Sequence, residues 1–211
     1  MTQVPLLETQ HTAEFLVSYA NGHRSFDRGT LIAGQNLSAG AVLGQIKLAT
    51  PAAPAMVGTG NAVMSAITLG ATAQSGSYVV TFTGATAYTV TDPSGNSMPP
   101  AAALGAYTNA DINWTITAGG TPAVAGDKFT VVVAAGSGKY TSYLPTAVDG
   151  SGVVAGVLYQ NTNATSADVK GTVVTRQAEV NASELKWDAT VTGGALTTGI
   201  AGLAALGIIA R

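Results

Sequence analysis

The 211-residue sequence predicts a mainly β protein: a compact core with one short helix near its C-terminus, interrupted by an inserted small β-sandwich. Three observations carry this. Short runs with apolar side chains at every second position recur between Gly, Pro and Asn turns, which is the period of a half-buried strand. Only 9% of residues are charged, and residues 51–137 hold just Asp92, Asp111, Asp127 and Lys128. The junctions of that stretch are Pro51-Ala-Ala-Pro54-Ala55 and Ala134-Ala-Gly-Ser-Gly138. Small, Pro- and Gly-rich segments of this kind are where one folded unit enters a surface loop of another. The expected organisation is an extended arm over 1–14, a discontinuous core over 15–50 plus 138–211, and an inserted β-sandwich over 51–137.

Each element follows in order. Residues 1–14 keep no sustained period and contain Pro5, so they are expected to be extended and ordered only when paired. Phe15-Leu-Val-Ser-Tyr19 predicts a strand, ended by the turn pair Asn21-Gly22. Gly29-Thr-Leu-Ile-Ala-Gly34 predicts another, and residues 37–46 a turn followed by a strand. In the insert, Tyr78, Val80 and Phe82 alternate with polar or smaller neighbours, and so do Tyr88 and Val90, before the turn Asp92-Pro-Ser-Gly95. Ile112, Trp114 and Ile116 repeat the rule, as do Phe129, Val131 and Val133. With residues 62–69 this makes about five strands, whose apolar faces close most simply as a sandwich. Val153-Val-Ala-Gly-Val-Leu-Tyr159 and Gly171-Thr-Val-Val-Thr175 are further strands, and residues 178–185 suit a helical turn. Leu196, Ile200 and Leu203 recur at helical spacing, with Thr197 or Thr198 to cap the start and Gly207 to end the helix. Ile208-Ile-Ala leaves as a last short strand.

The composition excludes several functions. Net charge is −2, with eight basic and eight acidic residues in the flanks, and no basic patch stands ready to neutralise phosphates, so nucleic-acid binding is not expected. There is no cysteine, hence no disulfide, zinc-thiolate or thiol chemistry. Met1-Thr-Gln-Val-Pro-Leu-Leu-Glu8 does not read as a signal peptide, and residues 195–210 are too few and too rich in Gly and Thr to span a bilayer. The expectation is a soluble protein made in the cytoplasm, without membrane contact. His11 and His23 are not at a metal-ligand spacing, and Asp27 between Arg24 and Arg28 reads as a local surface ion pair. Asp92-Pro-Ser-Gly-Asn96 is a turn before it is a calcium loop. Trp114 reads as core, and Trp187 as either core or contact surface. No residue set supports catalysis, a metal or a cofactor.

Joining the flanks exposes an ordered series. Ala13-Glu-Phe-Leu-Val-Ser-Tyr19, Ser25-Phe-Asp-Arg-Gly-Thr30 and residues 37–46 come first. Tyr140-x-x-Tyr143-x-Pro145, Ala147-Val-Asp-Gly150, Ala155-Gly-Val-Leu-Tyr159, residues 176–185 and Leu203-x-x-Leu206-Gly-Ile-Ile209 follow. This series resembles the head decoration protein D family of tailed bacteriophages, across both flanks. The insert departs from the short form of that family and resembles the immunoglobulin-like insertions of phage surface proteins. The resemblance implies a capsid decoration protein, not an enzyme. Such a subunit forms a homotrimer on the outer surface of the expanded head and cements the major capsid protein. It also implies an N-terminal arm that adds a strand to capsid sheet edges. Val4, Pro5, Leu6, Leu7 and Phe15 are the candidate capsid-binding residues. The rival reading is a carbohydrate- or host-surface-binding adhesin module, which exposed aromatics near Tyr88, Tyr107 or Trp114 on the insert would favour and a buried Trp114 would weaken.

Overall fold

The computed structural model describes residues 11–211. It divides into two compact units, one made of the chain up to Ile46 with Gly138–Arg211, the other of Lys47–Ser137. The first flank gives β1 (Leu16–Tyr19), β2 (Phe26–Leu31), β3 (Gln35–Leu37) and β4 (Val42–Gln45). Lys47–Ser137 holds β5 (Val63–Leu69), β6 (Gly76–Phe82), β7 (Ala87–Thr91), β8 (Ser97–Ala103), β9 (Gly105–Tyr107), β10 (Ile112–Thr117) and β11 (Lys128–Val133). The second flank adds β12 (Tyr140–Ser142), β13 (Val154–Leu158), β14 (Thr162–Ala164), β15 (Val169–Val174), β16 (Ala178–Val180), α1 (Gly194–Ala205) and β17 (Ile208–Ala210).

In the flank unit, β12, β2, β15, β13 and β4 close a barrel in that order, antiparallel except for the parallel contact of β12 with β2. β4 and β13 are buried on both faces, which explains why they read as continuous apolar runs, whereas β2 and β15 keep polar, exposed positions on one face. Leu43, Leu158 and Val173 belong to one core with Leu31. Their chain neighbours Val42, Val157 and Val174 belong to a second core, with Phe15, Val180, Leu203 and Ile208. The second core lies under a three-stranded sheet, β1-β16-β17, and under α1. Each Val or Leu fully buried in this way contributes about 1.5–3 kcal/mol.

Three local expectations are corrected here. The helix starts before both threonines: Gly193 precedes its first residue and gives no side-chain cap, while Thr198 Oγ1 donates to Gly194 O at 3.0 Å from inside the helix. Residues 178–185 form strand β16 and one 3-10 turn, Ala182–Glu184, in which Asn181 Oδ1 accepts the Ser183 N–H at 3.1 Å. Asp27 pairs with Arg176 and accepts from Thr175 Oγ1 at 2.8 Å, whereas Arg24 Nε donates to Asn21 O at 3.3 Å. Trp187 is half-buried and meets Tyr143 edge-on at 6.1 Å. Gly199 lets α1 settle on that indole, since a Cβ there would lie 2.5 Å from the ring.

The other unit is a two-sheet sandwich of seven strands, with β5-β10-β9 on one side and β11-β6-β7-β8 on the other. Side chains from both sheets form one core, including Met64, Tyr78, Phe82, Tyr88, Trp114 and Phe129. In a constant-type immunoglobulin domain the first two strands are neighbours in one sheet; here β5 and β6 lie in different sheets. Asp127 is 3% exposed and clamps the loop before β5. Its carboxylate accepts the N–H groups of Thr59 and Gly60 at 2.8 Å and of Val124 at 3.0 Å. These backbone donors, Val124 first, hold its pKa below the ordinary carboxylate value. A folded-state pKa depressed in this way adds stability above the unfolded value of about 3.9, and that contribution is lost as pH falls through the folded pKa. Asp127→Asn is therefore expected to lower this unit's Tm at neutral pH by roughly 5–10 °C. The gap from wild type should narrow below about pH 4; equal Tm values at neutral pH in a scanning calorimeter would refute the clamp.

Each unit draws its own chain ends together. In the flank unit, Gly138 N–H donates to Ile46 O at 2.9 Å and Ile46 N–H to Lys139 O at 3.0 Å. In the sandwich, Gly136 N–H donates to Lys47 O at 2.8 Å and Ala49 N–H to Ala134 O at 3.0 Å.

Candidate functional site

Val4, Pro5, Leu6 and Leu7 lie outside the described residues. Phe15, the fifth candidate, is fully buried in the second core. Its ring is therefore the root from which the preceding segment departs. Hydrogen bonds fix that root: Ala13 N–H donates to Tyr159 O at 3.0 Å, Leu16 N–H to Ala13 O at 2.9 Å, and Asn181 N–H to Phe15 O at 2.8 Å.

Strict alternation along Phe15-Leu-Val-Ser-Tyr19 would place Phe15, Val17 and Tyr19 on one face. A register shift between Leu16 and Ser18, where β1 pairs with β16, separates them. Phe15 turns inward, while Val17 and Tyr19 stay 61% and 53% exposed. β1 is also an edge of its sheet, since β16 pairs with it on one side only.

Next to this edge the chain builds an aromatic groove. Phe26 meets Tyr19 at 5.1 Å and Tyr159 at 5.3 Å between ring centroids, both edge-on, and His23 at 6.4 Å. With Thr172 these residues line a cavity of about 250 Å³. The turn that presents His23 is held by Ser25, whose buried hydroxyl accepts from Ala20 N–H at 2.9 Å and donates to Gln177 O at 2.7 Å. Ala13, His23 and Gln177, all at this corner, adopt positive φ of 63°, 62° and 47° without being glycine. Such backbone strain persists only where the surroundings enforce it.

Phe26 and Thr172 also line a second, more polar depression of about 430 Å³ with Arg28 and Lys170. In the register of β2 with β15, Arg28 faces Thr172 and Thr30 faces Lys170, so both cations rise from the same face as Phe26. Both are exposed, and neither has an ion-pair partner among the described residues. The neighbouring acids are engaged: Asp27 with Arg176, and Glu179 with Arg211 at 2.6 Å and Ser18 at 3.0 Å. The arrangement offers an open strand edge, an aromatic slot and two cations. That is the chemistry of a docking surface. Among the described residues no three His, Asp or Glu side chains come together as metal ligands.

The sequence reading missed Tyr19, Phe26 and Tyr159 as a group, because the pairing that unites them joins residues more than a hundred positions apart. The exposed pair Val17 and Tyr19 beside Asn21-Gly22 was the available signal. In the sandwich the outcome is different. Tyr88, Tyr107 and Trp114 are all buried, at 1–2% exposure. Trp114 stacks on Tyr107 at 4.7 Å and donates its indole N–H to Tyr88 OH at 3.4 Å. Burial raises the pKa of both tyrosines. These rings form no sugar-stacking platform.

No curated protein sequence matches the chain. Among solved structures, FlgL of Xanthomonas campestris is similar at 22% identity over 61% of this chain and 33% of its own, so the chain spans a third of that protein. Its TM-score of 0.29 carries no argument about fold or function. The match that does carry one covers both flanks and the stretch between them: residues 5–208 fit the family described as bacteriophage lambda head decoration protein D, and the chain belongs to that family.

Proposed function

We propose that this chain is a structural, non-enzymatic decoration protein of a phage head. It docks as a homotrimer on the outer surface of the expanded shell and stabilises the lattice of major capsid protein. The family match over residues 5–208 carries the reading. Residues 1–14 act as the docking arm, adding a strand to a capsid sheet edge while Val4, Leu6 and Leu7 fill pockets. Ordering such an arm costs about 1–2 kcal/mol per residue, so one arm holds weakly. Three arms on one trimer act at high effective concentration, which supports an oligomer on physical grounds. The flank unit carries the docking function, and the sandwich is an accessory module of the virion. Partners are the major capsid protein and other copies of this chain; nucleic acid and membrane are not partners. No helix among the described residues is long and apolar enough to cross a membrane. Burial of Tyr88, Tyr107 and Trp114 weakens the adhesin reading.

Cryo-electron microscopy of heads decorated with two proteins tests this: the intact chain, and a variant with residues 47–137 replaced by a short Gly-Ser loop. Both are expected to place density at local threefold positions of the head, and only the intact chain an additional lobe. The close ends at Ile46 and Gly138 make the loop variant closable. Density on the tail, or none on the head, would overturn the function. An insoluble loop variant beside normal decoration by the intact chain would show that the sandwich belongs to the core.

A further inference from the structure

We propose that the groove between β1 and the β2–β15 face receives an extended, acidic segment of the capsid partner. That segment presents one apolar side chain to the aromatic slot and a carboxylate to Arg28 and Lys170. The proposal rests on the head-docking reading and adds to it a second contact, built from described residues and separate from the arm.

Three independent features converge on this occupant. The edge of β1 offers main-chain groups that an extended segment can pair with, which is how strand addition gains affinity without sequence specificity. Beside it, Tyr19, Phe26 and Tyr159 leave a slot of about 250 Å³, enough for one large apolar side chain. The slot runs into the depression of Arg28 and Lys170 through the shared residues Phe26 and Thr172. The chain as a whole is acidic, at net −2, yet here two cations stand without acidic partners among the described residues, while Asp27 and Glu179 are taken by Arg176 and Arg211. Charge complementarity therefore selects a carboxylate-bearing partner and disfavours a basic one. The turn that carries His23 is tied down by Ser25, which bridges Ala20 N–H and Gln177 O, so little ordering is required of that wall on the receiving side.

The test measures binding to expanded heads by co-sedimentation at low and high salt, with trimer state followed by light scattering. R28E/K170E is expected to bind about tenfold more weakly or worse at low salt, and to lose most of the salt dependence seen with wild type. R28K/K170R should bind normally. Y19S, at a half-exposed position, should bind several-fold more weakly while remaining a folded trimer. A photoreactive side chain at position 19 should cross-link to the capsid protein. If wild type binds heads and R28E/K170E binds equally well, the groove is not the contact, and the decoration function stands without it. If Y19S loses the trimer, the groove is an interface between copies; if the cross-link captures residues 1–10, it is a seat for the arm. Either result overturns the proposal. Failure of wild type to bind heads removes the functional reading and this inference together.

Discussion

Deleting residues 1–14 is expected to weaken binding to expanded heads by about a hundredfold or more, while leaving a folded trimer. The size of the effect comes from multivalency. Each arm exchanges ordering entropy for main-chain hydrogen bonds and a few apolar contacts, so its net contribution is small. In the proposed trimer, once one arm has docked, the other two bind from an effective concentration in the millimolar range, and avidity multiplies single-arm affinity by about 10²–10⁴. Removing all three arms removes that product at once. The cut removes the Ala13 bonds to Tyr159 and Leu16, but Phe15 stays seated among Val180, Leu203 and Ile208 and remains bonded to Asn181, so the fold is expected to be spared. Undiminished co-sedimentation of the truncated protein would sink the arm hypothesis, and a monomeric product would show that residues 1–14 hold the oligomer together.

Trp114→Ala is expected to destabilise the sandwich by about 3–5 kcal/mol. The indole is among the largest fully enclosed side chains of the protein, and it fills the space between the two sheets. Truncation opens a cavity against Tyr107, ends a stacked contact at 4.7 Å, and removes the N–H that Tyr88 accepts at 3.4 Å. A domain of this size holds about 5–15 kcal/mol in total, so most of the unit's margin is lost. Val124→Ala, at a 45% exposed position, serves as the control and should stay within about 0.5 kcal/mol of wild type. Calorimetry that finds Trp114→Ala as mild as the control would contradict the packing described.

The mainly β class was legible because alternation in β6, β7, β10 and β11 directly reports one buried face per strand. β8 was not legible. Pro99 and Pro100 argue against a strand, yet β8 is the outer strand of its sheet, where a residue without an N–H is tolerated. β12 and β14 span three residues each and depend wholly on pairing with distant partners. The helix was found by its Leu196 and Leu203 spacing, but its start was misplaced because a Gly-Gly entry sends no capping signal. As for the proposed docking surface, the arm was inferred from a break in periodicity. The groove was not, because a one-residue register shift decides that Tyr19 faces out, and Phe26 and Tyr159 meet only after β2, β13 and β15 have paired.

The pairing of Ile46 with Gly138 has a consequence for how the chain reaches this fold. β4 leaves the ribosome long before β12, the strand that pairs with it and closes the barrel. Closing that ring across about ninety unstructured residues costs on the order of 4 kcal/mol in loop entropy. A sandwich that folds during synthesis, with Lys47 and Gly136 already hydrogen-bonded, replaces the long loop by a short tether. On that order of events the inserted unit would act as an internal folding clamp: its completion would deliver β12 to the edge of β4 and make the two halves of the split core kinetic neighbours before the second half is fully translated.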